Sequence, residues 1–516
     1  MRQTTASYKP FPIVRDVDCF ISFGVIDTNA DKSTVSVETS DEGVFSNIGE
    51  VINDIKTPSG KYASFEPGLW VLDGTFDHVP DNKSSVETGW WSTAVSGEDG
   101  VFASPPVIRF TFTKVVSTLG WTLYFDSMAK QYAKKVRITA YDASGNEIDT
   151  GVYENASALM AVQHYAGEYY AVQFEFLETS EPFRRVRLSE IDFGITKAYD
   201  RGSLGSVSLT YGADIISESL PSRELIFTFD NSDKQYNLLN PDGVYQHLQE
   251  GQRISAKFSI GGEEVDMGEF RFTYADASRS GIVPEIAAHD ALYALDGSAF
   301  DGGTGAEMTL AAAISAVLGS YELERAFDGS AASVKVTLSP PKGTSTRECI
   351  RMLAQAAMCT AYIDRDGVLR FVQLSPAASE IGKITADELY DYSGVSISEP
   401  VDGVKLTVES DFILDSEGEP IKTVYSAGSD AVGALVKTFS NPCVASSNGS
   451  ACAAWLLAGL KMRKQYAVKN RCDPAVEIGD TVKIDDIFGN RENAVIMGLE
   501  ISYDGTLSAI TKGVGA

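Results

Sequence analysis

At 516 residues, with 43 basic against 71 acidic side chains and a net charge of −28, the chain is too long for one core. It is also too acidic for steady binding to a phosphate backbone, which Lys and Arg must neutralise. A hydrophobic share of 44% beside 22% charged residues excludes bulk disorder, and the length predicts about three to five domains.

Cys19 to Asp27 is the first strand-like run, and residues 1–46 read as N-terminal strands. Trp70, Trp90, Trp91 and Trp121 then fall within one stretch, out of 5 tryptophans in all, which marks 47–197 as a domain of its own. It carries strand-like runs at Val107 to Phe112, Trp121 to Phe125 and Val136 to Tyr141. Further on, Ile254, Ala256, Phe258 and Ile260 alternate with Ser255, Lys257 and Ser259, the period of a half-buried strand. Met308 to Leu318 is apolar and Ala-rich, and Ser345-Thr346-Arg347-Glu348 is a capping box opening a helix over Cys349 to Met358. Asp366-Gly367 between two apolar runs, Tyr362 to Phe371, predicts a type I′ hairpin. Thr385 to Glu388 is a second capping box, and Ala451 to Met462 a last amphipathic helix. The chain is therefore mainly β, with a few packing helices in its second half.

The polar start Met1-Arg2-Gln3-Thr4-Thr5 has no apolar signal segment, and no run approaches the roughly 18 apolar residues of a membrane helix. The expectation is folding in a cytoplasm without export by the general pathway. Cys19, Cys349, Cys359, Cys443, Cys452 and Cys472 form no C-x-x-C pair and read as free, mostly buried thiols.

In the Trp-rich block, Lys61 to Gly74 ends in Leu72-Asp73-Gly74 and leads to Thr88-Gly89-Trp90-Trp91-Ser92. Arg187-Leu188-Ser189-Glu190-Ile191 closes the block. This order resembles the discoidin or galactose-binding-like jelly-roll over roughly 150 residues. The resemblance implies loops that bind sugars by aromatic stacking, with Trp90, Trp91, His78, Tyr169 and Tyr170 as the platform. One Trp of the pair is expected in the core, because adjacent strand residues face opposite sides. It also implies a structural calcium ion, not a required cofactor, at Asp73 and Glu190, since calcium takes six to eight oxygen ligands. The plainer alternative is a turn at Asp73-Gly74 and a solvated Glu190.

After the block come Leu220-Pro221-Ser222-Arg223-Glu224-Leu225, Phe229-Asp230-Asn231, Leu239-Asn240-Pro241-Asp242-Gly243, Leu248 to Ile254 and Met267-Gly268-Glu269-Phe270. Ala287-Ala288-His289-Asp290-Ala291-Leu292, the Asp364-Arg365-Asp366-Gly367 turn, Glu477 to Ile484 and Leu499 to Leu507 complete the run. Their order resembles phage baseplate hub and tail-associated proteins. The resemblance implies two tail-tube-like β-barrels, a homotrimer, a virion tail-tip location and partners among the tail tube and distal tail proteins, with the tape-measure protein a further one. The domains then read as 1–46, N-terminal strands of the first barrel; 47–197, the inserted jelly-roll; 198–280, the rest of the first barrel; 281–395, an α+β region; and 396–516, the second barrel. With the last expected strand ending directly before Ala516, no cell-wall-degrading domain is expected.

Catalytic patterns are missing: there is no G-x-S-x-G, H-E-x-x-H or G-x-x-x-x-G-K-[ST], and His78, His164, His247 and His289 are scattered. Paired carboxylates are too abundant to single out a glycosidase pair. The expectation is a non-enzymatic structural baseplate hub or tail-tip subunit whose jelly-roll contacts host surface glycans. The alternatives are a carbohydrate-binding surface protein and a glycan hydrolase with an accessory binding module. Assembly is expected in the host cytoplasm.

Overall fold

The computed structural model describes residues 17–27, 30, 32, 35–58, 60–71, 73–78, 86–237, 240, 243–277, 284–374, 382–390, 394–485 and 491–515. Leu72 of the expected Leu-Asp-Gly loop, and Leu239, Pro241 and Asp242 of the Asn-Pro-Asp-Gly loop, lie outside the described residues. Strands make up 48% of the chain and helices 12%, which makes the protein mainly β with several domains, as its alternating runs predict. It divides into two compact units: one from residues up to Ser22, Ala198–Asn237 and Arg253 onward, the other from Phe23–Lys197 with Leu238–Gln252.

The larger unit is built on a 13-stranded sheet. Its path runs Gly394–Ile397, Lys464–Asn470, Leu507–Gly515, Arg491–Tyr503, Leu204–Gly212, Glu224–Phe229, Pro284–His289, Glu263–Ala277, Arg253–Ile260, Val17–Ile26 and Gly194–Tyr199, with Thr481–Asp485 branching from Arg491–Tyr503 and carrying Gly382–Ile384. The alternation at 253–260 is realised: Ile254, Ala256, Phe258 and Ile260 are buried, with half-buried residues between them. Ile501, Leu209, Leu225, Ala288 and Phe272 lie opposite one another in a cross-strand row. A one-residue slip of any of these strands would turn its apolar set to the other face, so the row fixes the register.

Two separate barrels are the expectation, and here the structure differs. Leu204–Gly212 pairs with Glu224–Phe229 on one edge and with Arg491–Tyr503 on the other, so the strands of both expected barrels share one sheet. There is no closed barrel among the described residues.

Beside the sheet lies an α+β core. Helix α1 (Ala291–Asp296), α2 (Leu310–Leu318), α3 (Thr346–Ala356) and α4 (Gly449–Leu460) share it with the three-stranded sheet of Gly403–Leu414, Pro420–Gly428 and Val436–Ser440. Ser345 caps α3 by accepting the Glu348 N–H at 3.2 Å, as the sequence predicts. Residues 403–460 belong to this core rather than to a second barrel, because Val404, Leu406, Phe439, Cys452, Leu456 and Leu457 pack into it with α2 and α3. The Asp364 to Gly367 turn joins antiparallel strands Thr360–Ile363 and Leu369–Val372. It is not type I′: Gly367 has φ 81° while Asp366 has no positive φ, and the Asp364 carboxylate accepts the Asp366 and Val368 N–H groups at 3.0 Å each.

The smaller unit carries a seven-stranded sheet in the order Trp90–Trp91, Arg187–Asp192, Val107–Phe125, Leu159–Thr179, Ala133–Tyr141 and Glu147–Glu154, with Ser36–Thr39 also on Val107–Phe125. The expected N-terminal strands of residues 1–46 are thus divided: Val17–Ile26 lies in the large sheet beside Arg253–Ile260, Ser36–Thr39 lies in this one, and residues 1–16 fall outside the described residues. Val37 sits opposite Phe110 and packs on the aromatic core of this unit. The core is filled by Trp90, Phe110, Trp121, Phe125, Tyr169, Phe174, Phe176 and Phe193, all essentially without solvent exposure.

All six cysteines are buried and unpaired. Burial pushes their thiols up to about 12, so they stay protonated and inert at neutral pH. Among the described residues no helix is long and apolar enough to cross a membrane.

Candidate functional site

The closing strand Arg187–Asp192 is buried at every residue, lying between Trp90–Trp91 and the end of Val107–Phe125. Glu190 and Asp192, two residues apart on a strand, point to the same face. Asp54 joins them, and the three carboxylates come within 4.8 Å of one another. Lys32 lies among them, its Nζ at 2.5 Å from Glu190, 2.9 Å from Asp192 and 2.9 Å from Asp54. Lys56 reaches Asp192 at 3.1 Å and lies over the Tyr124 ring.

If all five groups ionised, this nest would carry one net negative charge, with Glu190 and Asp192 buried and Asp54 and Lys56 at its exposed rim. Burial pushes Glu190 up to about 8, against the pull of Lys32. Asp192 is also buried, yet Lys32 and Lys56 hold it below the usual carboxylate range. Burial works against the charge on Lys32, but Asp192, Glu190 and Asp54 outweigh it and keep the ammonium protonated.

The expected calcium pair does not form. Asp73 is fully exposed, and its carboxylate accepts the Thr75 N–H and hydroxyl at 3.0 and 2.5 Å. It takes no part in the carboxylate group around Glu190, which is itself buried rather than solvated.

The expected aromatic platform is also taken apart by the fold. Trp90 is 0% exposed and stacks on Phe176 with ring centroids 5.5 Å apart. Trp91, on the opposite face of the strand, is buried too. The Arg187 guanidinium lies 3.9 Å from its ring centroid and the Tyr62 ring 6.4 Å away, so Trp90 is the core member of the pair, as expected, while Trp91 is not open to a sugar either. Tyr169 is fully buried against Phe112 and Trp121. Tyr170 is half-buried and His78 exposed.

Phe65 and Trp70 face solvent instead, 95% and 58% exposed, with ring planes 20° apart and centroids 6.1 Å apart. The loop between them is rigidly tied. Buried Glu66 accepts the Arg185 N–H at 2.8 Å and pairs with Arg187 at 2.5 Å, while Arg184 donates to the Pro67 carbonyl. Leu69 is buried and donates its N–H to the Glu66 carbonyl. The signal in the sequence is a Pro-Gly turn flanked by two aromatics, Phe65-Glu66-Pro67-Gly68-Leu69-Trp70.

In the larger unit, segments far apart in the chain meet at one junction. Arg223 of Leu220 to Leu225 pairs with Asp290, Nε to Oδ2 at 3.2 Å, both nearly fully buried. Asp290 also accepts the backbone N–H groups of Arg223 at 2.9 Å and of Leu292 at 3.0 Å, which makes it the N-cap of α1. Gly268 is required here: it has φ 105°, and a Cβ would stand 2.6 Å from the Arg223 guanidinium and 3.0 Å from the Arg365 carbonyl. Arg365 donates to the carbonyls of Pro474 and Val476, and both guanidiniums lie over the Tyr211 ring. A cavity of about 290 Å³ opens beside Tyr211, Tyr362, Arg365 and Gly479. His289 turns to Thr273, Tyr293 and Glu224.

No protein-family model matches the chain, and no curated protein matches it in sequence. Among solved structures, a tail protein from Neisseria meningitidis is similar at 12% identity and a TM-score of 0.44, over 62% of this chain and 93% of that one. The 43 kDa tail protein of prophage MuSo2 from Shewanella oneidensis matches at 14% identity and a TM-score of 0.43, over 62% and 94%. A family 32 carbohydrate-binding module from C. perfringens, solved with galactose, matches at 10% identity and a TM-score of 0.22, over 34% and 99%.

Proposed function

We propose that the chain is a non-enzymatic structural subunit of a phage or phage-like tail tip, a baseplate hub acting as a homotrimer with the tail tube and distal tail proteins. The observation that carries this reading is the junction of Arg223, Gly268, Asp290 and Arg365. Each of these residues comes from a different segment of the hub-like order, and together they form one buried centre. Scattered short motifs that matched by chance would have no reason to meet. Antibody labelling of purified particles tests the location.

The jelly-roll is the contact to host surface glycans in this reading, through Phe65 and Trp70 rather than the buried tryptophans. Exposed rings on a tied-down loop offer apolar faces to a sugar ring at little entropic cost. The double variant Phe65→Ala/Trp70→Ala is expected to lose glycan-array binding by about tenfold or more. Its melting temperature should stay at the wild-type value, because neither ring is in the core. A variant that binds as the wild type does would remove the glycan role from this loop. The same two exposed rings favour the second reading, a carbohydrate-binding surface protein, which predicts glycan binding with no association to tails.

A further inference from the structure

We infer that the Lys32 ammonium is the built-in cation of the Asp54, Glu190 and Asp192 nest, and that this jelly-roll closes without a bound metal ion. The inference does not depend on the tail-tip reading. An ammonium has three N–H donors, and Lys32 lies within hydrogen-bond distance of one oxygen on each of the three carboxylates.

The second oxygens of the two buried carboxylates are also spent. Glu190 Oε2 accepts the Asp54 N–H at 2.8 Å, and Asp192 Oδ2 takes the Tyr124 hydroxyl at 3.0 Å and Lys56 at 3.1 Å. Calcium needs six to eight oxygen ligands at 2.3–2.6 Å. Here those oxygens face N–H and O–H donors, and two lysines already offset most of the negative charge. Asp73, the carboxylate that the jelly-roll resemblance assigns to calcium, sits on an exposed turn occupied with Thr75. The calcium ion implied by that resemblance therefore does not fit these residues, and Lys32 holds the closing strand in its place. The attachment is long-range: Lys32 and Glu190 are 158 residues apart in sequence.

The test uses the full chain, melted in a chelator and in millimolar calcium. The wild type is expected to melt within about 1 °C in both conditions. Lys32→Met keeps the length of the stem and removes the charge. It should melt about 5 °C or more lower in chelator, and calcium should raise its melting temperature, because the vacated nest then accepts a free cation. A wild type that loses stability in chelator, or that retains one calcium per chain after equilibrium dialysis, overturns the inference. So does a Lys32→Met variant that melts like the wild type or is indifferent to calcium. If Lys32→Met does not fold in chelator, refolding it with and without calcium gives the same decision, and the wild-type dialysis needs no variant.

Discussion

Asp290→Ala will lower the stability of the larger unit by about 3–5 kcal/mol, the usual cost of removing one partner from a buried ion pair. Two losses combine. The Arg223 guanidinium, 3% exposed, keeps its charge without the carboxylate facing it, and α1 loses the side chain that accepts its Leu292 N–H. Ser222, whose hydroxyl donates to Asp290 at 2.8 Å, and the Arg223 N–H lose the same acceptor. Asp290→Asn keeps the cap and the shape and should cost less. Urea unfolding followed by circular dichroism measures both, and an Asp290→Ala midpoint equal to that of the wild type would contradict the junction described here.

Arg187→Ala is expected to cost the jelly-roll a similar 3–5 kcal/mol, which for a domain of this size lowers the melting temperature by roughly 6–20 °C. Arg187 is 1% exposed and joins four things: the Glu66 carboxylate at 2.5 Å, the Asp126 carboxylate at 3.7 Å, the Ser64 hydroxyl at 3.1 Å and the face of Trp91. Removing it leaves Glu66 buried, its carboxyl no longer held below the ordinary range by the guanidinium. It also uncovers Trp91. Arg187→Lys should not restore the wild type, because an ammonium cannot serve the carboxylate and lie flat on the indole at once. Differential scanning calorimetry reads the shift, and an unchanged trace for Arg187→Ala would sink this account of the closing strand.

What the sequence made legible was local. The alternation at 253–260 and the Ser345 cap depend on residues a few positions apart, and both are found as the pattern predicts. The order of the hub-like segments was readable as well, although not the reason for it, since Arg223 and Asp290 meet only in three dimensions. Long-range effects were not readable. Trp91 looked free because its strand neighbour is core, yet Arg187 and Tyr62 cover it from distant parts of the chain. Glu190 looked like a calcium ligand or a solvated acid, because nothing near it announces Lys32. The two barrels could not be told from one sheet, since Val207, Leu209 and Tyr211 show the same alternation whether one edge of the strand is paired or both.

The central claim, a tail-tip subunit, is tested most directly by electron microscopy of purified particles labelled with an antibody against this chain. The account predicts label confined to the distal end of the tail, with averaged images of that end showing three copies. Label along the shaft or on the head, or particles that carry none of this chain while it binds glycans on its own, would contradict it.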